Sequence, residues 1–136
     1  MYSFTGRTDG ADPRTGLIHD AGTVFKGDKS GNFTVLYSFP GGTDGIPPLG
    51  ALTAGNLYGT TSRGGDVACS SKGFDCGTVF KINSPGKKSV LHSFRGLDRA
   101  YPQAAVIRDW AVNLYGTTNN GGVGNHVTVF EIAPYL

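Results

Sequence analysis

Glutamate is nearly absent from this chain of 136 residues: nine of its ten acidic residues are Asp, and only Glu131 is Glu. Asp suits turns and oxygen-rich cation sites, whereas Glu suits helices, so the imbalance argues against charged helical surfaces. Charge of either sign is sparse at 16% of residues, and the net charge of +2 comes from scattered Lys and Arg. The longest basic run, Lys87-Lys88, stands beside Pro85-Gly86 and reads as a solvated turn, so no nucleic-acid partner is expected. No stretch reaches the roughly 18 apolar residues of a membrane span, and no charged-then-apolar leader follows Met1. Catalytic signatures are missing too: there is no Gly-x-Ser-x-Gly elbow, His-Glu-x-x-His pair, Gly-Lys-Ser phosphate loop or Cys-x-x-Cys. With a single Glu, a paired-Glu glycosidase is excluded, although two Asp could take that place.

What the chain has in abundance is glycine, 22 residues of it, and repetition. "NLYGTT" occupies 56–61 and recurs at 113–118. Three passages align before it: "YSFTGRTDGADP" from Tyr2, "YSFPGGTDGIPP" from Tyr37 and "HSFRGLDRAYP" from His92. "GTVFK" at Gly22, "GTVFKI" at Gly77 and "VTVFEI" at Val127 align after it. These segments are short, rich in Val, Ile, Phe, Tyr and Thr, and bounded by Gly, Pro, Asn or Asp, which is the pattern of strands. No segment reads as a helix. In "GTVFKI" Val79 and Lys81 point one way and Phe80 and Ile82 the other, so a sheet apolar on both faces is expected.

Length and repetition together predict one all-β repeat domain over 1–136, with repeats at about 1–36, 37–91 and 92–136. Four short strands per repeat is the signature of β-propeller blades. The first unit lacks the NLYGTT strand, so two to three four-stranded blades per chain are expected, the first incomplete. Propellers close with four to eight blades, which predicts that oligomerisation, a dimer first of all, completes the ring.

The order "LYSF", "NLYGTT", Gly-Gly, "GTVFK", "VLHSF" resembles the Gloeo/Verruco (GloVer) tandem repeat over nearly the whole chain. That resemblance implies a propeller-like all-β architecture and an extracytoplasmic, bacterial surface setting. It implies no established activity.

Each residue of the hexapeptide has a structural job in this reading. The Asn residues fit turns, Leu and Tyr fill sheet faces, Gly59 and Gly116 admit a close neighbour, and the Thr pair continues the strand. What varies is the following loop, 15 residues in "SRGGDVACSSKGFDC" and eight in "NNGGVGNH", so specificity is expected there. Ligand contacts are assigned to Tyr58 and Tyr115, with Tyr101 as a further exposed ring, and to Asn119 and Asn120. A small molecule, glycan or peptide would suit them.

Asp9, Asp44 and Asp98 hold the same place in their repeats and are the candidate ligands of a Ca²⁺ ion, with Asp-Gly hairpin turns as the other reading. Cys69 and Cys76 enclose six residues, a spacing that suits a local disulfide better than a metal pair and points to an oxidising compartment. Of the three histidines, His92 replaces Tyr2 and Tyr37 and should pack as they do. His19 beside Asp20, and His126 in a Gly and Asn loop, are the candidates for a general base. Two functions follow: a scaffold presenting variable loops to a ligand or partner, or a Ca²⁺-dependent hydrolase of lactones or esters on the same frame.

Overall fold

The computed structural model of the chain describes residues 13–14, 17–18, 22–28, 30–48, 52, 57–66, 76–83, 86–95, 101–122, 124 and 126–133. Its regular structure there is all β apart from one 3₁₀ turn, Gly42–Asp44. The strands, in chain order, are β1 (Pro13–Arg14), β2 (Leu17–Ile18), β3 (Thr23–Gly27), β4 (Phe33–Ser38), β5 (Ile46–Pro48) and β6 (Leu57–Arg63). They continue as β7 (Thr78–Ile82), β8 (Lys88–Ser93), β9 (Ile107–Arg108), β10 (Leu114–Thr118) and β11 (Thr128–Ile132). All pairs are antiparallel, in sheets ordered β1-β2, β3-β4, β5-β6-β7-β8 and β11-β10-β9. No closed ring or barrel forms among the described residues.

The complete four-stranded sheet runs from Ile46 to Ser93. Tyr37, which opens the second unit of the sequence repeat, lies on β4 and pairs backwards with Val24 of β3. The "VLYSF" strand therefore closes the preceding sheet, and "VLHSF" does the same as β8 of the four-stranded sheet. β3-β4 and β7-β8 are superimposable in register, each with one irregularity after the Val of TVF: Val24↔Tyr37 then Phe25↔Val35, and Val79↔His92 then Phe80↔Val90.

Two apolar cores lie on opposite faces of the four-stranded sheet. On one face Phe80 and Ile82 pack with Val24 and Phe39 of the β3-β4 unit. On the other, Val79 and Tyr58 pack with Phe94, Val106 and Leu114, the last on the three-stranded sheet. The alternation of β7 requires this arrangement: Val79 and Phe80 are both 0% exposed although they point in opposite directions. Each interface repeats an aromatic contact. Phe39 meets Phe80 edge-on at 5.2 Å, and Phe94 meets Phe130 edge-on at 5.2 Å.

The hairpin turns repeat as well. Asp28–Asn32, Asn83–Lys87 and Asp109–Asn113 each carry the same backbone bonds, with the fourth residue donating to the carbonyl of the first. That fourth residue adopts a left-handed conformation, at φ 84° for Gly31 and 102° for Gly86. The third turn places Val112 there at φ 71°, a costly conformation for a β-branched residue. Part of Val112 packs on the core beside Val106 and Leu114, which offsets that strain.

Candidate functional site

The hexapeptide is held from both sides. Gly59 pairs with Phe80 across β6 and β7, and a Cβ on Gly59 would stand 2.6 Å from Phe80 Cζ and 3.0 Å from Leu52 Cδ2. The glycine is a seat for the Phe80 ring. Gly116 pairs with Phe130 and seats that ring in the same way. The Thr pair divides its work between two directions. Thr61 Oγ1 lies 2.8 Å from Thr78 Oγ1, while Thr60 donates 2.9 Å to the Ala104 carbonyl at the neighbouring sheet. Tyr58, expected to present an exposed ring, is instead 3% exposed in the core, because its side of β6 is the side that the third sheet covers.

Asp44 stands in the most organised polar cluster. Its carboxylate accepts from Lys88 Nζ at 2.6 Å and from the Tyr37 hydroxyl at 2.8 Å, and Lys88 also reaches the Asp44 carbonyl at 2.5 Å. The Lys88 ammonium sits over three rings, 4.8 Å from the centre of Phe39, 5.6 Å from Phe80 and 5.7 Å from Tyr37. Its side chain is 3% exposed and that of Asp44 25%. Lys88 thus corrects the solvated-turn reading of Lys87-Lys88: Lys87 is exposed, but β8 turns the next side chain under the rings of Tyr37, Phe39 and Phe80. Burial lowers the Lys88 pKa, and the Asp44 hydrogen bond and charge oppose that shift. Burial, reinforced by the Asp44 hydrogen bond, pushes Tyr37 up to about 12. A cation enclosed this way already balances the carboxylate, which is how a partly buried charge becomes tolerable.

Other Asp residues lock turns. Asp28 accepts from the Asn32 amide N–H at 2.8 Å and its side-chain nitrogen at 2.7 Å. Asp109 does the same with Asn113 at 2.8 and 2.7 Å, and also receives the Tyr115 hydroxyl at 3.2 Å. Both carboxyls are held below the ordinary value. For Asp28 the Asn32 side-chain bond is the main cause. For Asp109 desolvation is the largest influence and raises the pKa, but the bonds from Asn113 and Tyr115 together outweigh it. The Asp109 device holds the half-buried Tyr115 ring beside β11, so this ring serves the hairpin.

The loop after the second hexapeptide is open. Asn119 is exposed, Asn120 is half-buried and His126 is exposed. The Asn119 amide donates 3.2 Å to the carbonyl of the half-buried Tyr101, whose φ of 41° turns the chain towards β9. A shallow hollow of about 240 Å³ lies beside this loop, lined by Gln103, Ala104, Thr117, Thr118, Asn119 and Val127. His92 packs edge-on against Phe94 at 4.7 Å, matching Tyr37 on Phe39 at 5.0 Å, as its place in the repeat requires.

Cys76 is buried and disulfide-bonded, and the chain's other cysteine, Cys69, lies outside the described residues. So do Asp9, Asp98, His19 and Asp20. Among the described residues, no three His, Cys, Asp or Glu side chains gather as cation ligands. Also among them, no helix is long and apolar enough to cross a membrane.

A scan against protein-family models matches residues 14–135 to the Gloeobacter/Verrucomicrobia repeat. The chain belongs to that repeat family. The match covers all eleven strands of this Gloeobacter/Verrucomicrobia repeat protein apart from the first residue of β1. No curated protein and no solved structure matches it significantly.

Lys88 is the residue that sequence reasoning missed. Position 88 of the second unit aligns with Phe33 of the first, since Ser93 and Ser38 hold equivalent register places, so an apolar site was being filled by a Lys. That substitution is the signal that could have marked Lys88 as a packed residue.

Proposed function

We propose that this chain is a repeat scaffold whose sheets stack in a propeller-like manner and hold the loops after the NLYGTT strands towards a ligand or partner surface. The seating of Phe80 on Gly59, matched by Phe130 on Gly116, carries this reading. A hexapeptide written twice for the sake of two ring seats is a framework element, and frameworks leave recognition to their variable loops. Asn119 and Asn120, with His126 at the end of the same loop, are the groups offered for hydrogen bonding to a glycan or peptide. A buried disulfide at Cys76 favours an oxidising, extracytoplasmic setting. The Ca²⁺-dependent hydrolase reading would draw on Asp44, whose carboxylate is occupied by Lys88 and Tyr37.

The test is a panel of oligosaccharides and peptides screened for binding by folded protein, with hydrolysis of lactones and esters followed in parallel, with calcium and with chelator. The scaffold reading expects binding that weakens on Asn119→Ala or Asn120→Ala, with no turnover. Turnover that disappears with chelator and on Asp44→Ala would overturn it in favour of the hydrolase.

A further inference from the structure

β11 is the third copy of the Thr-Val-Phe strand, and it lacks a neighbour that the other two copies have. β3 pairs with β4, and β7 lies between β6 and β8. Among the described residues β11 pairs with β10 alone and forms the edge of its sheet. An edge strand of this kind leaves a row of backbone groups ready to pair with a further strand. In the other two units that further strand ends in an aromatic residue, Ser and Phe, and its register is the same each time. Thr23 stands opposite Ser38 and Val24 opposite Tyr37, as Thr78 stands opposite Ser93 and Val79 opposite His92. The Phe that follows turns into the core: Phe39 is 3% exposed in the core of Val24, and Phe94 is 4% exposed in that of Val79. Val24 and Val79 are 0% exposed, whereas Val129, at the same place on β11, is 73% exposed.

The sequence holds three Thr-Val-Phe segments and three aromatic-Ser-Phe segments. Two of the latter serve β3 and β7; the third is Tyr2-Ser3-Phe4, outside the described residues. Its tether is long enough to reach β11. Phe4 and Pro13 are nine positions apart, which spans at most about 30 Å. Pro13 pairs with β2, and β2 touches both β3 and β5, so the tether starts about one to two sheet spacings, roughly 10–20 Å, from the three-stranded sheet. A segment tethered within reach presents itself at an effective concentration on the order of millimolar, which favours the chain's own copy over that of a second molecule.

We infer that Tyr2–Phe4 is the strand that completes the last sheet of its own chain, with Ser3 opposite Thr128, Tyr2 opposite Val129, and Phe4 laid over Val129. The pairing ties the start of the chain to its last sheet. At one point the third unit differs: Val127, without the positive φ of Gly22 and Gly77, stands where those glycines accept the amide of Phe39 and Phe94, so that bond is not carried over. The inference concerns the frame and goes beyond the loop assigned to a ligand, so ligand binding at Asn119 can succeed or fail without deciding it.

Disulfide trapping in the full chain tests the pairing. Tyr2→Cys with Val129→Cys, oxidised and mapped by peptide mass so that Cys69 and Cys76 are kept apart, is expected to bridge within one chain at the monomer mass of 14.2 kDa. Tyr2→Cys with Glu131→Cys, two residues out of register, is expected to bridge far less. Hydrogen exchange supplies the second measurement. Phe4→Asp is expected to speed exchange of the β11 amides roughly fivefold or more, with β7 unchanged as the internal control. Bridging only between chains overturns the inference in favour of strand exchange with a second copy. Equal bridging in both registers, no bridge at all, or β11 exchange indifferent to Phe4→Asp overturns the pairing itself.

Discussion

Replacing Gly59 by Ala adds one methyl group where a Cβ meets Phe80 Cζ at 2.6 Å, Leu52 Cδ2 at 3.0 Å and Phe80 Cε1 at 3.1 Å. The backbone at Gly59 is ordinary strand, so the effect is steric alone. Ring atoms can yield only if there is somewhere to go. Phe80 is 0% exposed, with Phe39 edge-on at 5.2 Å and Ile82 and Val24 in the same core, so its displacement spreads into a packed interface. Overpacking of this kind costs about 1–3 kcal/mol. In a domain of this size that lowers the melting temperature by roughly 3–10 °C. Gly116→Ala makes the same clash with Phe130, but that ring is only half-buried and can swing outwards, so a loss below about 1 kcal/mol is expected. Chemical denaturation of both variants, with Phe80→Leu added to Gly59→Ala, measures the difference and the coupling. Equal losses at the two glycines, or no relief from the smaller residue at 80, would refute the seat argument.

The Lys88 cluster predicts an asymmetry. Asp44→Asn leaves a 3% exposed ammonium without its carboxylate and should cost about 3 kcal/mol or more, whereas Lys88→Met keeps the stem among the rings and leaves a 25% exposed carboxylate, a smaller loss. Equilibrium denaturation decides, and a larger loss for Lys88→Met would be inconsistent with a caged cation. Stability should also fall at both ends of the pH scale. Asp28 and Asp109, held below 3.8, contribute above that pH and lose the contribution as the pH falls through their folded values. Tyr37, raised from 10.0 to about 12, contributes below pH 10 and loses it on the way to 12. The phenolate absorbance missing from Tyr37→Phe should therefore lie above pH 10, and its appearance at the ordinary value would contradict the burial of the Tyr37 hydroxyl and the Asp44 bond that reinforces it. Closure of a Cys69–Cys76 loop would stabilise by about 2.5 kcal/mol, so reduction should lower the denaturation midpoint accordingly and expose two thiols to alkylation.

Much of the framework was legible because it is written in alternation and repetition. Val79 and Phe80 announce a doubly buried strand by their spacing, His92 takes the packing place of Tyr37, and the two glycines of the hexapeptide announce a close neighbour. The sheet boundaries were harder to read. A repeat has no natural beginning in one dimension, and only hydrogen bonding shows that Tyr37 pairs back to Val24. Burial on one side of β6 depends on which sheet stands opposite, so Tyr58 and Tyr115, identical in local sequence, end in different environments. Lys88 was misread because adjacency to Lys87, Pro85 and Gly86 describes a turn, whereas the aromatic rings that enclose its ammonium lie about fifty residues upstream or on the paired strand. The five-residue turn at Asp109 escaped notice because Val112 stands where the equivalent turns carry Gly.

The central claim is that the repeated residues make a frame and the loops between them are free to vary. A saturation scan of substitutions read by resistance to proteolysis tests it most directly. The account predicts intolerance at Tyr58, Gly59, Thr60, Val79 and Phe80, and tolerance at Asn119, Asn120 and His126. A map with intolerance gathered in that loop, and free substitution along β6 and β7, would contradict it.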